Sequence, residues 1–258
     1  MRAELPDPVL PHVCDHRAAV VAGGQPTIVP DRHVGPEIVA PGTLVAMSLR
    51  QRLLTTVAGQ LGRPHGRLGG VVAGALNRGN GQAIATAVAA AQVPAGGVAA
   101  DIGFGGGAGL RLLVDAVGTG GTVHGVEVSG DMLERARRQF QRDLESGRLR
   151  LAEGSLTALP VDDATLDAAI TVNTVYFVDD LDAVCAELAR TLRPGGRAVI
   201  GIGDPEAMRN LPVTPYGFRL RPVAEIVAAL ERAGLTVDVQ SRADGRLPRH
   251  TITAQRPA

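Results

Sequence analysis

The sequence contains no lysine and no tryptophan: all 26 of its basic residues are arginine, set against 26 acids, and only six side chains, four Phe and two Tyr, are aromatic. Each shortage excludes a kind of chemistry. Without lysine the chain cannot carry out Walker-type phosphoryl transfer or Schiff-base catalysis, because both place a lysine amine at the reacting centre. A formal net charge of zero provides no overall field to gather nucleic acid or an anionic membrane, and six aromatics make no base-stacking platform. Neither nucleic acid nor membrane is therefore expected as a partner. No apolar run approaches the roughly 20 residues that span a bilayer, and residues 1–8 lack the basic-then-apolar order of a secretory signal, so a cytoplasmic location is expected. Of the two cysteines, Cys185 falls on the helical stripe Leu181, Val184, Cys185, Leu188, Leu192 and reads as core. His12, Cys14, His16 and His33 match no common zinc spacing, and no metal site is expected.

What is present is apolar and rich in glycine. With 258 residues and 45% hydrophobic content the chain can bury a full core with material to spare. From about residue 81, short apolar runs alternate with amphipathic segments, the pattern of an α/β doubly wound, mostly parallel sheet. Strands are predicted at 97–102, 122–128, 148–153, 166–173 and 197–202. Helices are predicted at 82–92, after the glycines at 103–107, after Ser129, after Asp179 or Asp180, and at 222–233. The segment Arg193-Pro194-Gly195-Gly196 is expected to end a helix and return the chain to the fifth strand. Leu235, Val237 and Val239 alternate with polar residues, Asp244-Gly245 offers a turn, and 250–254 alternates again, so a C-terminal hairpin on the sheet edge is expected, for a total of six or seven strands. Three regions result: a proline-rich extended arm over 1–43, a helical cap segment over 44–80, and the α/β domain over 81–258. Residues 205–222 read as an insertion able to cover a substrate.

The richest stretch is Val98-Ala99-Ala100-Asp101-Ile102-Gly103-Phe104-Gly105-Gly106-Gly107, an apolar strand that ends in an acid and then in alternating glycines. Gly103, Gly105 and Gly107 let the backbone turn sharply and let a ligand approach where a Cβ would clash, while the helix beyond offers unpaired N–H groups. Asp101 would repel a pyrophosphate and attract an ammonium or sulfonium ion, which points to a cationic ligand. Glu127 ends the second apolar strand, and a carboxylate there needs a partner, for which a ribose diol is well suited.

Glycines 103 and 105 with Ala108 and Glu127 also satisfy a dinucleotide fingerprint. Taken together, however, the segments Asp101 to Gly107, Gly125-Val126-Glu127-Val128-Ser129 with Met132, Gly154-Ser155-Leu156 followed by Leu159-Pro160, Asn173-Thr174-Val175-Tyr176, and Leu192 to Gly196 resemble the class I S-adenosylmethionine-dependent methyltransferases over residues 80–258. The hairpin tail fits as well. The resemblance implies a Rossmann-like seven-stranded sheet, S-adenosyl-L-methionine as cofactor, and methyl transfer to a small-molecule acceptor. It also implies roles for particular residues. Asp101, Gly103, Gly105 and Gly107 would hold the methionine part of the cofactor, Glu127 both ribose hydroxyls, Val128 and Met132 the faces of the adenine, and Ser155 and Leu156 its edge. Many members carry Asp where Ser155 stands here. Asn173 and Tyr176 would face the methyl group, with Tyr176 the candidate to position or deprotonate the acceptor; its other reading is a lid aromatic packed on adenine. An NAD(P)-dependent oxidoreductase using the same glycine turn, and a non-catalytic binding protein of this fold, stay open beside the methyltransferase.

Overall fold

The computed structural model describes Thr55, Gly59 and residues 80–243 and 247–258, all within the unit Ala46–Ala258. The arm over 1–43, nearly all of the cap segment 44–80 and the Asp244-Gly245 turn lie outside the described residues. A helix over 80–91, α1, leads into β1 (Val98–Ile102), α2 (Ala108–Val117), β2 (Thr122–Glu127), α3 (Gly130–Gln139), the short α4 (Gln141–Glu145) and β3 (Leu149–Glu153). Then come β4 (Leu166–Val172), α5 (Leu181–Thr191), β5 (Leu192–Gly203), the short α6 (Pro205–Arg209), α7 (Val223–Arg232), β6 (Thr236–Arg242) and β7 (Arg249–Gln255). The helix starts expected at Ser129 and Asp180 are real caps: Ser129 Oγ accepts the Met132 N–H at 3.4 Å, and Asp180 Oδ1 accepts the Ala183 N–H at 2.9 Å.

The seven strands form one sheet in the order β3-β2-β1-β4-β5-β7-β6. β1 to β5 are parallel, whereas β7 runs antiparallel to both β5 and β6. The expected hairpin therefore closes one edge of the sheet. Side-chain alternation explains why helices cover both faces. On β1, Ala100 and Ile102 join one core with Val184, Leu188 and Ile226, while Ala99 joins the other with Leu110, Leu113 and Leu133.

One expectation needs correction. The Arg193–Gly196 segment does not separate α5 from the fifth strand; β5 begins at Leu192 and absorbs it as an irregularity, with Leu166 opposite Leu192 and Ala168 opposite Arg197. Gly195 supplies φ +77°, and a Cβ on Gly196 would stand 2.7 Å from the Leu166 carbonyl oxygen, so the glycines let the bulged chain lie flat on its neighbour.

The strand order reverses between β1 and β4, and the carboxyl ends of β1, β2, β4 and β5 share one edge of the sheet. Open α/β sheets bind ligands at such an edge. Because β7 is antiparallel, its first residue reaches the same edge, with Arg249 opposite Gly203.

Candidate active site

Above that edge lies a cavity of about 720 Å³ with mostly apolar walls. Of the residues singled out in the sequence, Asp101, Gly103, Gly105, Glu127, Val128, Ser155, Leu156, Asn173 and Tyr176 line it. Gly107 and Met132 fall outside its lining. Gly107 is the N-cap of α2 at φ +81°, where a Cβ would stand 2.9 Å from the Phe140 ring; the glycine permits the packing of that ring. Met132 is 2% exposed and packs in the core beneath α3.

Two acids dominate one end. Glu127 is buried, and three backbone N–H groups hold its carboxylate: Gly105 donates to Oε2 at 2.9 Å, and Val128 and Ser129 donate to Oε1 at 2.9 and 3.1 Å. These donors tie the glycine turn to the end of β2. Asp101 is equally buried and leans on the first turn of α2, where the Leu110 N–H donates to it. Gly109 makes this approach possible, since a Cβ there would stand 2.3 Å from Asp101 Oδ2. Burial, and next the charge of Glu127, push the Asp101 carboxyl up to about 8, outweighing the Leu110 hydrogen bond. Near neutral pH the unliganded site thus holds a proton on Asp101, although the same group would be a bare carboxylate in water.

The floor between the acids is fixed by β4. Thr171 donates to the Ile102 carbonyl at 2.9 Å, and the hydroxyls of Thr171 and Thr174 are in hydrogen-bond contact. Gly103, at φ +72°, lies against the Thr174 methyl, which a Cβ would meet at 2.4 Å. Gly105, at φ +50°, faces space that no described part of the protein fills. Ser155 faces its hydroxyl to Thr157 at 3.0 Å.

Tyr176 is 3% exposed and already engaged. Its hydroxyl accepts the Gly203 N–H at 2.6 Å and donates to Asn173 Oδ1 at 3.4 Å. Burial raises its pKa above the ordinary tyrosine value. Asn173 takes φ +59°, a left-handed conformation that asparagine tolerates, and its N–H donates to the Gly201 carbonyl at 2.8 Å.

The other end of the cavity was largely missed in the sequence. Phe177, Met208 of α6, Leu211, Tyr216, Phe218, Leu247 and Arg249 line it, while Ile84 of α1 and Phe104 of the glycine turn line the same cavity. The insertion over 205–222 contributes Met208, Leu211, Val213, Tyr216, Gly217 and Phe218 to the lining. One signal was available: five of the six aromatic side chains in the chain line this space, all but Phe140.

The seven-stranded sheet of this order, with a glycine turn after β1 and buried acids at the ends of β1 and β2, is a Rossmann-like α/β fold shared with solved S-adenosylmethionine-dependent methyltransferases. Residues 100–200 match the family described as "Methyltransferase domain". Among curated relatives, a nocamycin O-methyltransferase from Saccharothrix syringae is 32% identical over 130 residues, 50% of this chain and 45% of that protein. The chain spans only 30 to 45% of the length of the first curated relatives it matches. Among solved structures, the geranyl diphosphate C-methyltransferase of Streptomyces coelicolor A3(2), in complex with Mg2+, geranyl diphosphate and S-adenosyl-L-homocysteine, superposes with a TM-score of 0.59 at 18% identity, covering 77% of this chain and 87% of that one. The [4+2]-cyclase SpnF has the same fold, with a TM-score of 0.59 at 18% identity over 69% of this chain and 80% of that one.

Proposed function

We propose that this protein is a methyltransferase that binds S-adenosyl-L-methionine at the Asp101–Glu127 end of the cavity and methylates a small molecule at the other. The observation that carries the reading is the pair of buried acids, with Asp101 held protonated to about pH 8 by burial and by its neighbour. A ligand with an ammonium group favours the charged form of Asp101 and relieves that strain, whereas a pyrophosphate would add a like charge to it. This separates the reading from an NAD(P)-dependent oxidoreductase, which the glycine pattern alone leaves open.

The residues present fit the cofactor. Asp101 would take its amino group, the face of Gly105 would admit its methionine part, and Glu127, fixed by backbone N–H donors, would accept its ribose hydroxyls. Val128 and Leu156 would flank the base and Ser155 its edge. When bound, S-adenosyl-L-methionine supplies a methyl group on a positively charged sulfur. The chain's contribution is chiefly position: a preset alignment of acceptor and methyl can lower a barrier by about 7–11 kcal/mol. The Tyr176 hydroxyl keeps its proton and is already committed to the Gly203 N–H, so we assign it to holding Asn173 and the floor of the acceptor space in place of proton abstraction.

No helix among the described residues is long and apolar enough to cross a membrane. Calorimetric titration tests the assignment. S-adenosylhomocysteine should bind and, at a hundredfold excess over Kd, stabilise the fold by about 2.7 kcal/mol, whereas NAD and NADP should not bind. The reverse preference would overturn it. Because one neighbour of this fold is named a cyclase, transfer itself needs a separate measurement. Labelled methyl should pass from cofactor to acceptors in a metabolite panel; binding without transfer across a broad panel would favour a non-catalytic or non-methylating role.

A further inference from the structure

The half of the cavity away from the acids has a composition unlike the rest of the chain. Tyr176, Phe177, Tyr216 and Phe218 gather there from two segments, in a protein with six aromatic residues in all. The Phe177 and Phe218 ring centroids are 4.8 Å apart, and those of Tyr176 and Phe218 are 5.7 Å apart. Such a wall presents rigid ring faces and edges, which pair best with another ring.

Charge along the cavity is also divided. Among the described lining residues the charged side chains are Asp101 and Glu127 at one end and Arg249 at the other. Arg249 begins β7, three strands from β1 in the order β1-β4-β5-β7, which places it roughly 14 Å away at about 4.8 Å per strand. That separation puts it beyond the part of the cavity assigned to the cofactor's amino end. It lines the same cavity as Tyr176, Phe177, Tyr216 and Phe218. Arg249 also interacts within the chain, and an incoming acid would share or replace that contact.

We infer that the acceptor is a flat apolar ring carrying an acidic group, its ring against Phe177, Tyr216 and Phe218 and its acid on the Arg249 guanidinium. The inference rests on the methyltransferase reading above and names the acceptor class for that same site. A planar guanidinium fork matches a carboxylate in two parallel hydrogen bonds, which fixes the orientation of the ring as well as its charge. The position to be methylated then lies on the side of the ring remote from the acid, toward Asn173 and the cofactor end.

The test uses the full chain saturated with S-adenosylhomocysteine and three probes titrated calorimetrically: 6-hydroxy-2-naphthoate, 2-naphthol and decanoate. The naphthoate should bind at least about tenfold more tightly than either of the others. Arg249→Gln should weaken the naphthoate about tenfold to a hundredfold and leave naphthol unchanged, with S-adenosylhomocysteine affinity intact. Phe218→Leu should weaken both ring compounds and spare decanoate. Equal binding of naphthol would overturn the acid, and equal binding of decanoate would overturn the ring. No binding of any probe, or indifference of the naphthoate to Arg249→Gln, would overturn the inference as a whole. The comparison of probes on the parent protein needs no variant and so survives a variant that fails to fold. If S-adenosylhomocysteine itself does not bind the parent protein, the methyltransferase reading fails first, a result distinct from a cofactor-bound protein that ignores aromatic acids.

Discussion

The two ends of the cavity are built differently. At the β1–β2 end the working parts are backbone and carboxylate: a glycine turn, three N–H groups on Glu127, and an Asp101 side chain lodged against the first turn of α2. At the β5–β7 end they are side chains contributed by 176–178, 208–218 and 247–249, which meet only because β7 runs antiparallel and brings its first residue to the shared edge. A site made of backbone constrains residue type at every position, whereas a site made of apolar side chains asks only for shape. The first kind suits a ligand that never changes, and the second can be rebuilt for each acceptor.

The largest effects should come from breaking the acidic end. Glu127→Ala removes the acceptor for three N–H donors as well as the proposed ribose contact. Calorimetry should show S-adenosylhomocysteine affinity reduced by more than about a hundredfold, and denaturant unfolding should show a loss of about 1–3 kcal/mol from the stranded donors. Asp101→Asn sharpens the comparison, because it removes charge but keeps an oxygen for the Leu110 N–H. It should cost similar affinity while leaving stability at pH 8 equal to or above that of the parent, since a buried ionised carboxylate is no longer required there.

Gly109→Ala is expected next in size. A Cβ at this position meets Asp101 Oδ2 at 2.3 Å and the Ile170 Cδ1 atom at 3.0 Å, so the carboxylate must move. The gain in helix propensity, about 1 kcal/mol, offsets part of the strain. Thermal melts should therefore shift little while titration shows cofactor binding weakened at least tenfold, on the order of the loss of one charge-assisted contact. Unchanged binding would show that Asp101 does not need its observed place.

The pH dependence follows from the raised Asp101 pKa. Between the ordinary carboxyl value of 3.8 and about 8, the folded protein holds a proton on Asp101 that the unfolded chain has released. The contribution of this group to stability is full below that window, declines as pH rises through it, and is gone above about 8. Ligand binding runs the other way: S-adenosylhomocysteine should bind more tightly as pH rises from 6 to 8, by up to about tenfold per unit, and Asp101→Asn should flatten the slope. The smallest effect is expected at the other end. Tyr176→Phe leaves the Gly203 N–H without its 2.6 Å acceptor and should cost about 1–3 kcal/mol of stability with a modest fall in kcat. The pH–rate profile should keep its shape; loss of an alkaline limb would restore Tyr176 as a base.

Legibility in the sequence followed the same division. Asp101, Gly103, Gly105 and Glu127 were readable because strand ends, positive φ and buried charge each demand particular residue types, and β1 and β4 were readable because both of their faces are buried. Gly107 and Met132 show the limit: both lie in the expected motif, yet one fits the Phe140 ring and the other fills the core, and spacing alone does not separate a residue facing the cavity from one facing inward. The bulge in β5 escaped notice because Pro194-Gly195-Gly196 reads as a break, and only pairing with β4 shows the strand continuing through it. Arg249 carried no local signal at all. Its place depends on the antiparallel register with Gly203, a long-range fact.

The central claim is that Asp101 stays protonated until a cationic group arrives. Titration of S-adenosylhomocysteine at pH 7 in buffers of different ionisation enthalpy measures the protons exchanged on binding. The account predicts release of close to one proton by the parent protein and none by Asp101→Asn; tight binding with no proton released, or binding of NADP in its place, would contradict it.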